Sequence, residues 1–178
     1  MPVLLTYETH SLTEDNESGI ATGWLPGRLS AEGRRQAALL GERRRHQGYA
    51  VVLVSDLTRA VETAEIAFAG SDVPLRQDIR LRECDYGDLN GSPVADVGRV
   101  RLDHLEVPFP GGQSYAQVVE STRELLEEVR CRFEGQRVLV IAHSANRWAL
   151  QHLLDGAPMA QVMNAPFDWQ PGWHWTLR

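Results

Sequence analysis

The chain contains no lysine: all 18 of its cationic side chains are arginines. That removes Schiff-base chemistry and a lysine phosphate cradle, although a GC-rich genome accounts for the bias without any appeal to function. Cysteine is scarce. Cys84 and Cys131 fit neither a zinc spacing nor a CxxC pair. Cys131 falls in an expected helix as a packing residue. Cys84 follows Glu83 and is placed near the candidate site, but no separate histidine is signalled to activate it. A disulfide is not expected in a cytoplasmic protein. No apolar run is long enough to span a bilayer. The first residues offer neither a basic n-region nor a long h-region. No signal peptide and no membrane partner are therefore expected, and a cytoplasmic location follows by default. The net charge of −6 and pI of about 5.5 argue against a nucleic-acid partner. A local arginine cluster can still oppose that global sign toward a small anion. No GxGxxG follows a strand, which disfavours a dinucleotide fold.

What is present is a regular alternation. The 178 residues are 43% hydrophobic and 24% charged, enough for one soluble domain over residues 1–178. Val3–Tyr7, Val51–Val54 and Val138–Ile141 are short apolar runs of the kind found in buried parallel strands. Ser71–Asp78 reads as a short edge strand, and Trp173–Leu177 as a last strand with Trp173, Trp175 and Leu177 on one face. Helices are expected over Ser30–Arg45, Ser55–Ala69, Ser114 through Phe133 and Ala145–Leu154, with one more around Val94–His104. In the first, Ala37, Leu39 and Leu40 face the core, and Arg43-Arg44-Arg45 form a solvated end. Ser114 and Gln117 have capping-box spacing. The segments His10–Leu29 and Arg82–Pro110 read as loops. Strands alternating with helices give a three-layer αβα fold with a mostly parallel, Rossmann-like sheet.

Two histidines stand just past apolar runs. His10 follows the first strand and His143 follows Val138–Ile141. Ligands of open parallel sheets bind beyond the carboxyl ends of the strands, so both imidazoles are expected at one edge. Arg59 enters the first turn of the helix after Val51–Val54, where backbone N–H groups also favour an anion. From position alone, a surface arginine paired with Asp56 or Glu62 is an equal reading. Glu83, among turn residues, suits a general acid if partly buried; a solvated loop glutamate is the alternative. A metal between the two histidines lacks an acidic cluster to complete it, so no metal and no cofactor are expected.

Together the pieces resemble the histidine phosphatase, or phosphoglycerate-mutase-like, superfamily. Its Arg-His-Gly-x-Thr stretch is represented by His10 and Thr13, with Asn16 at the spacing of the family asparagine. Its Ser-Asp-Leu-x-Arg-Ala-x-x-Thr-Ala stretch is Ser55, Asp56, Leu57, Arg59, Ala60, Thr63 and Ala64. Leu81, Glu83, Gly87 and Gly91 match the third element, and Pro110, Gly111, Gly112, Gln113 and Ser114 the fourth. His143, Ser144 and Ala145 match the fifth. The resemblance implies a phosphoglycerate-mutase-like fold and a metal-independent phosphomonoesterase working on a small phosphorylated substrate. His10 would carry the phosphoryl group, and Glu83 would protonate the leaving alcohol and then activate water. Arg59, His143, Asn16 and Thr13 would hold the phosphoryl oxygens. One imidazole must be neutral to attack while the other is useful protonated, so the site is expected to split their pKa values.

The first motif departs from the pattern. Thr9 stands where the family has arginine, Ser11 where it has glycine, and Leu12 follows. Three explanations compete. Another arginine supplies the charge, with Arg147 ahead of Arg82, Arg99 and Arg101. Or the substrate needs a smaller clamp. Or the protein is a weak or inactive phosphate-ligand binder. Mutase-type transfer is the further alternative. Phosphoglycerate mutases carry inserted segments with extra basic residues, whereas Asp85, Asp88, Asp96, Asp103 and Glu106 here disfavour a triple anion. Arg82, Arg99, Arg101 and His104 are the substrate-side candidates. Trp169 and Trp173, flanking Pro171-Gly172, point to an exposed apolar patch and a homodimer contact.

Overall fold

The computed structural model describes Met1–Arg178. In chain order the strands are β1 (Val3–Thr9), β2 (Ile20–Ala21), β3 (Val51–Val54), β4 (Leu75–Gln77), β5 (Ser92–Pro93), β6 (Arg137–Ala142) and β7 (Trp173–Leu177). The helices are α1 (Glu14–Glu17), α2 (Ala31–Arg44), α3 (Thr58–Ala67), α4 (Val94–Val100), α5 (Tyr115–Arg132), α6 (Ser144–Asp155) and α7 (Met159–Asn164). The main sheet runs β4-β3-β6-β1-β7, parallel except for the β1–β7 pair. Strands β3 and β6 are buried on both faces, as continuous Val/Leu/Ile runs require when helices cover both sides. One face packs Val3, Leu5, Leu53 and Val140 against Leu125, Leu126 and Val129 of α5 and Leu150 of α6. The other packs Val52, Val54, Leu139 and Ile141 against Leu40 of α2 and the alanine stripe Ala60, Ala64, Ala67 of α3. This is the three-layer αβα architecture with a mostly parallel central sheet.

Several local expectations need correction. Leu39 is 38% exposed, because α2 carries only Ala37 and Leu40 into the core at that point. Arg44 is buried rather than solvated: its Nε donates to Glu8 at 2.7 Å, and a terminal nitrogen donates to the Pro171 carbonyl. Cys131 is exposed, on the outer side of α5. The helix after β3 begins at Thr58, with Leu57 as a cap that makes no side-chain bond, so Ser55 and Asp56 stay free for other partners. The edge strand shortens to Leu75–Gln77. The stretch read as a loop after His10 contains α1 and β2, elements too short to show periodicity. Strand β2 pairs with β5, tying that stretch to the segment after Glu83.

A third apolar cluster lies beyond the sheet edge. Cys84, Tyr86, Val97, Phe109, Tyr115, Val118, Ala145, Trp148 and Met163 pack together. Gly87 allows this packing: it has φ +54, and a Cβ there would lie 2.0 Å from the Pro110 carbonyl oxygen. The cluster packs the Arg82–Gln113 segment as a wall beyond the sheet edge.

Candidate active site

The register of the sheet determines what meets at its edge. Thr9 stands opposite Ala142 on adjacent parallel strands, and the His10 N–H donates to the Ala142 carbonyl at 2.9 Å. The Ser55 N–H donates to the Ile141 carbonyl at 3.1 Å. Three neighbouring strands therefore deliver His10, His143 and Ser55 at their carboxyl ends. The two imidazole centroids are 5.1 Å apart.

Hydrogen bonding defines the tautomer of His10. Its Nδ1 lies 2.8 Å from the Ser11 carbonyl oxygen, which can only accept, so Nδ1 carries the proton. Nε2 is left as an unprotonated nitrogen. The backbone after His10 is held on both sides. The Ser11 N–H donates to Thr63 Oγ1 at 3.0 Å, which gives the threonine of the second motif a positioning task. Helix α2 presses its N-terminal turn on Leu12, where a Cβ at Gly33 would lie 1.8 Å from the Leu12 carbonyl oxygen. His143 is fully buried. Its Nε2 is 2.8 Å from Ser55 Oγ, and its Nδ1 is buried with no partner. Ser55 Oγ already accepts the Leu57 N–H at 3.3 Å, so its hydroxyl hydrogen is free to bond His143 Nε2. The Ser55–His143 bond fits either imidazole tautomer, because the hydroxyl keeps a second lone pair, and the buried ring lies outside the cavity lining.

A cavity of about 530 Å³ opens on this edge, lined by His10, Asn16, Arg59, Glu83, Arg101 and Arg147 among others. Arg59 is 3% exposed; a terminal nitrogen donates to the Gly23 carbonyl at 2.8 Å, and it has no carboxylate partner. The Asp56 pairing weighed from the sequence is not formed: Asp56 binds Arg82 through two contacts of 2.8 and 2.6 Å. Burial lowers the pKa of Arg59, with Glu83 and Tyr86 opposing. Glu83 is 8% exposed and accepts the Cys84 N–H at 2.8 Å. Burial raises its pKa, against the pull of that N–H and of Arg59. A carboxyl group in this state suits a proton donor.

Both histidines are pushed down. Burial, reinforced by the positive charge of Arg59, lowers His10 to about 3. The same two causes, with His10 added, drive His143 well below its ordinary value. Both shifts run in the same direction, because one desolvated environment beside Arg59 encloses both rings. Cys84 is buried and its thiol is pushed up by burial and by Glu83 and Asp85, so it is inert as a nucleophile.

The remaining candidates divide. Asn16 lines the cavity, while its Oδ1 accepts the Thr13 N–H at 3.1 Å. Thr13 is fully buried, and its hydroxyl caps α1 by accepting the Asn16 N–H at 3.0 Å. The pair forms a capping box that carries Asn16 to the cavity wall. Arg101 lines the cavity and donates to the Met163 carbonyl at 3.1 Å. Arg82 lies over the Trp24 ring at 4.6 Å, outside the cavity lining, and Arg99 is an exposed partner of Asp96. His104 stacks on Phe109 with centroids 3.9 Å apart, also away from the cavity. Trp173 does not join Trp169 in an exposed patch. It turns onto Tyr7, with centroids 6.0 Å apart, and under the Arg147 guanidinium. Tyr86, Tyr115, Trp148 and Phe167 line the cavity and were not foreseen. Only long-range packing brings them there; Trp148 alone carried a hint, one residue past Arg147. No group of three or more His, Cys, Asp or Glu side chains is arranged to hold a metal ion, and no helix is long and apolar enough to cross a membrane.

A buried neutral imidazole, a second imidazole, unpaired arginines and a protonatable carboxyl at the edge of a parallel sheet define an anion-handling α/β site. The chain belongs to the histidine phosphatase superfamily (branch 1), whose family model matches residues 9–169. It is similar to the 2,3-bisphosphoglycerate-dependent phosphoglycerate mutase of Methylobacterium sp. (strain 4-46), with 34% identity over 88% of this chain and 82% of the relative. Phosphoserine phosphatase 1 of Hydrogenobacter thermophilus is 32% identical over 93% of this chain and 82% of its own length. Among solved structures, Bacillus stearothermophilus YhfR superposes with a TM-score of 0.83 at 27% identity, covering 95% of this chain and 88% of that one. Membership places the chain among enzymes, the phosphatases and mutases that act on small phosphorylated substrates.

Proposed function

We propose that the protein is a metal-independent phosphomonoesterase acting through a phosphohistidine on His10. The observation that carries this reading is the His10 tautomer. The Nδ1–H bond to the Ser11 carbonyl leaves Nε2 with a free lone pair, and burial beside Arg59 keeps the ring neutral. In the first step Nε2 forms a bond to phosphorus and the ester P–O bond breaks. Glu83, whose protonated form burial favours, gives its proton to the leaving alkoxide. In the second step the Glu83 carboxylate takes a proton from water, the new oxygen bonds phosphorus and the N–P bond breaks. The sum is ester plus water to alcohol plus phosphate, with enzyme restored. Arg59 and the free amide side of Asn16, both in the cavity lining, supply donors to the phosphoryl oxygens, and His143 is the buried imidazole beside them, its ring centroid 5.1 Å from that of His10.

The mutase reading has one support, the phosphoglycerate mutases among the relatives. A mutase must hold a second anionic group. The segment beside the cavity spends Arg82 and Arg99 on carboxylates, which favours a monoester; its Asp85, Asp88, Asp96, Asp103 and Glu106 lie outside the cavity lining and do not bear on the choice. The test is hydrolysis of an aryl phosphate in chelator by wild type and His10→Ala, alongside 3-phosphoglycerate with 2,3-bisphosphoglycerate. Aryl phosphate turnover lost in the variant supports the phosphatase. Interconversion of phosphoglycerates without net phosphate release supports the mutase. No turnover of either kind counts against both.

A further inference from the structure

Thr9 leaves the site short of the arginine that family members place before the nucleophile. We infer that Arg147, one turn into α6, supplies that missing cation, so that the phosphoryl clamp has moved from the end of β1 to the helix after β6. Arg147 is 8% exposed and lines the cavity with His10, Arg59 and Glu83. Its guanidinium makes no hydrogen bond or ion pair, and its Nε is buried without a partner. Arg59 and Arg101 each give donors to backbone carbonyls, so Arg147 is the cavity arginine with its whole fork free. It is nevertheless held in place. The Trp173 ring lies 4.9 Å from its central carbon and the Phe167 ring 5.4 Å.

A buried guanidinium without an anion is costly, because its desolvation is uncompensated. A sequence that only needed packing here would be better served by an apolar side chain. The unpaired charge is accounted for if an anion completes it, and a phosphoryl dianion near His10 Nε2 is such an anion. The arginine fork suits two phosphoryl oxygens. The space beside Thr9 opens toward the same nucleophile. A second cavity of about 700 Å³ reaches His10 from the Thr9 side, lined by Thr9, Ser11, Arg43 and Trp169 among others. An arginine reintroduced at position 9 therefore has room.

The kinetic arm of the test rests on the phosphatase reading, and the anion-binding arm does not. Wild type, Arg147→Met, Arg147→Gln, Thr9→Arg and Thr9→Arg/Arg147→Met are compared for aryl phosphate kcat/KM, for orthovanadate affinity by calorimetry and for Tm. The expected result is a loss of about 10²–10³ in kcat/KM for both single Arg147 variants. Vanadate binding weakens in parallel and Tm is unchanged or higher, since an unpaired buried charge has been removed. The double variant recovers at least tenfold over Arg147→Met. Wild-type activity and vanadate affinity in Arg147→Met would overturn the inference. So would a double variant no better than Arg147→Met, or a fall in Tm or failure to fold in both single variants, which would make Arg147 a packing residue. If wild type itself shows no turnover, the phosphatase reading fails, and vanadate affinity still decides the role of Arg147.

Discussion

Two groups of arginines in this protein do opposite things. On the outer flank, Arg76, Arg80 and Arg132 converge on Glu128, at 2.7, 2.6 and 2.7 Å, and Arg80 also holds Asp78 at 2.6 Å. At the sheet edge, Arg59, Arg101 and Arg147 line a cavity and no salt bridge reaches them. The first group is solvent-facing and its charge is spent on protein carboxylates. In the second, Arg59 and Arg147 are buried and Arg101 half-buried, and no carboxylate takes their charge. Arg82 marks the boundary: it is adjacent to Glu83 in sequence, yet Asp56 takes it out of the cavity. What marks Arg59 and Arg147 as candidates is burial without a carboxylate, and sequence position alone does not report that.

Perturbing the cavity group should cost activity and perturbing the flank should cost stability. The largest effect is expected for His10→Ala, on the order of 10⁴–10⁶ in kcat, because the nucleophile itself is lost. Steady-state turnover checks this. Glu83→Gln should lower kcat by about 10²–10⁴ on substrates with poor leaving groups, and less on activated aryl esters that need no proton. A leaving-group series measures the difference. The pH profile follows from the same carboxyl. Burial raises its pKa above the ordinary glutamate value, so kcat falls as pH rises through the raised pKa. Glu83→Gln should remove this limb. His10, at about 3, stays neutral across the working range and should contribute no acid limb near its ordinary value. Arg59→Met should cost about 10²–10³ in kcat/KM.

The smallest effect belongs to the flank. Glu128→Gln should leave kcat unchanged and lower Tm by about 2–4 °C, as expected for about 1 kcal/mol in a chain of this size. The hydrogen bonds from Arg76 and Arg80 depress Glu128 to about 2. Its folded value lies below its unfolded one. The stabilisation is therefore complete above the ordinary glutamate pKa of 4.5 and is lost as pH falls toward about 2. Thermal melts of wild type and variant should converge over that window. A loss of activity in Glu128→Gln would break the distinction between the two arginine groups.

The parts of the fold that were legible are those whose signals are local. Strands β3 and β6 announce themselves as Val/Leu/Ile runs, and Ser114 with Gln117 marks the start of α5 before any packing is known. The strand-edge rule then places His10 and His143 together. The Thr13–Asn16 capping box had the same local spacing but was read only through its phosphate role, so α1 was missed. Other misses depend on partners distant in sequence. Arg44 is buried because Glu8, 36 residues away, points into its side of the sheet. Trp173 is drawn from the surface by Tyr7 and Arg147. The common downward shift of the two imidazoles was illegible for a similar reason: only the closed site shows that burial and Arg59 act on both. The cavity wall from Tyr86, Tyr115 and Phe167 has no periodic signature, since it is built from loops joined by the third apolar cluster.

The most direct test of the account is to quench wild type during turnover of an aryl phosphate under alkaline conditions and locate the phosphoryl group by mass spectrometry. An acid-labile phosphoryl group on His10, absent from His10→Ala and accumulating in Glu83→Gln with an activated ester, is the predicted result. Sustained turnover with His10 unmodified, or with the phosphoryl group on another residue, would contradict it.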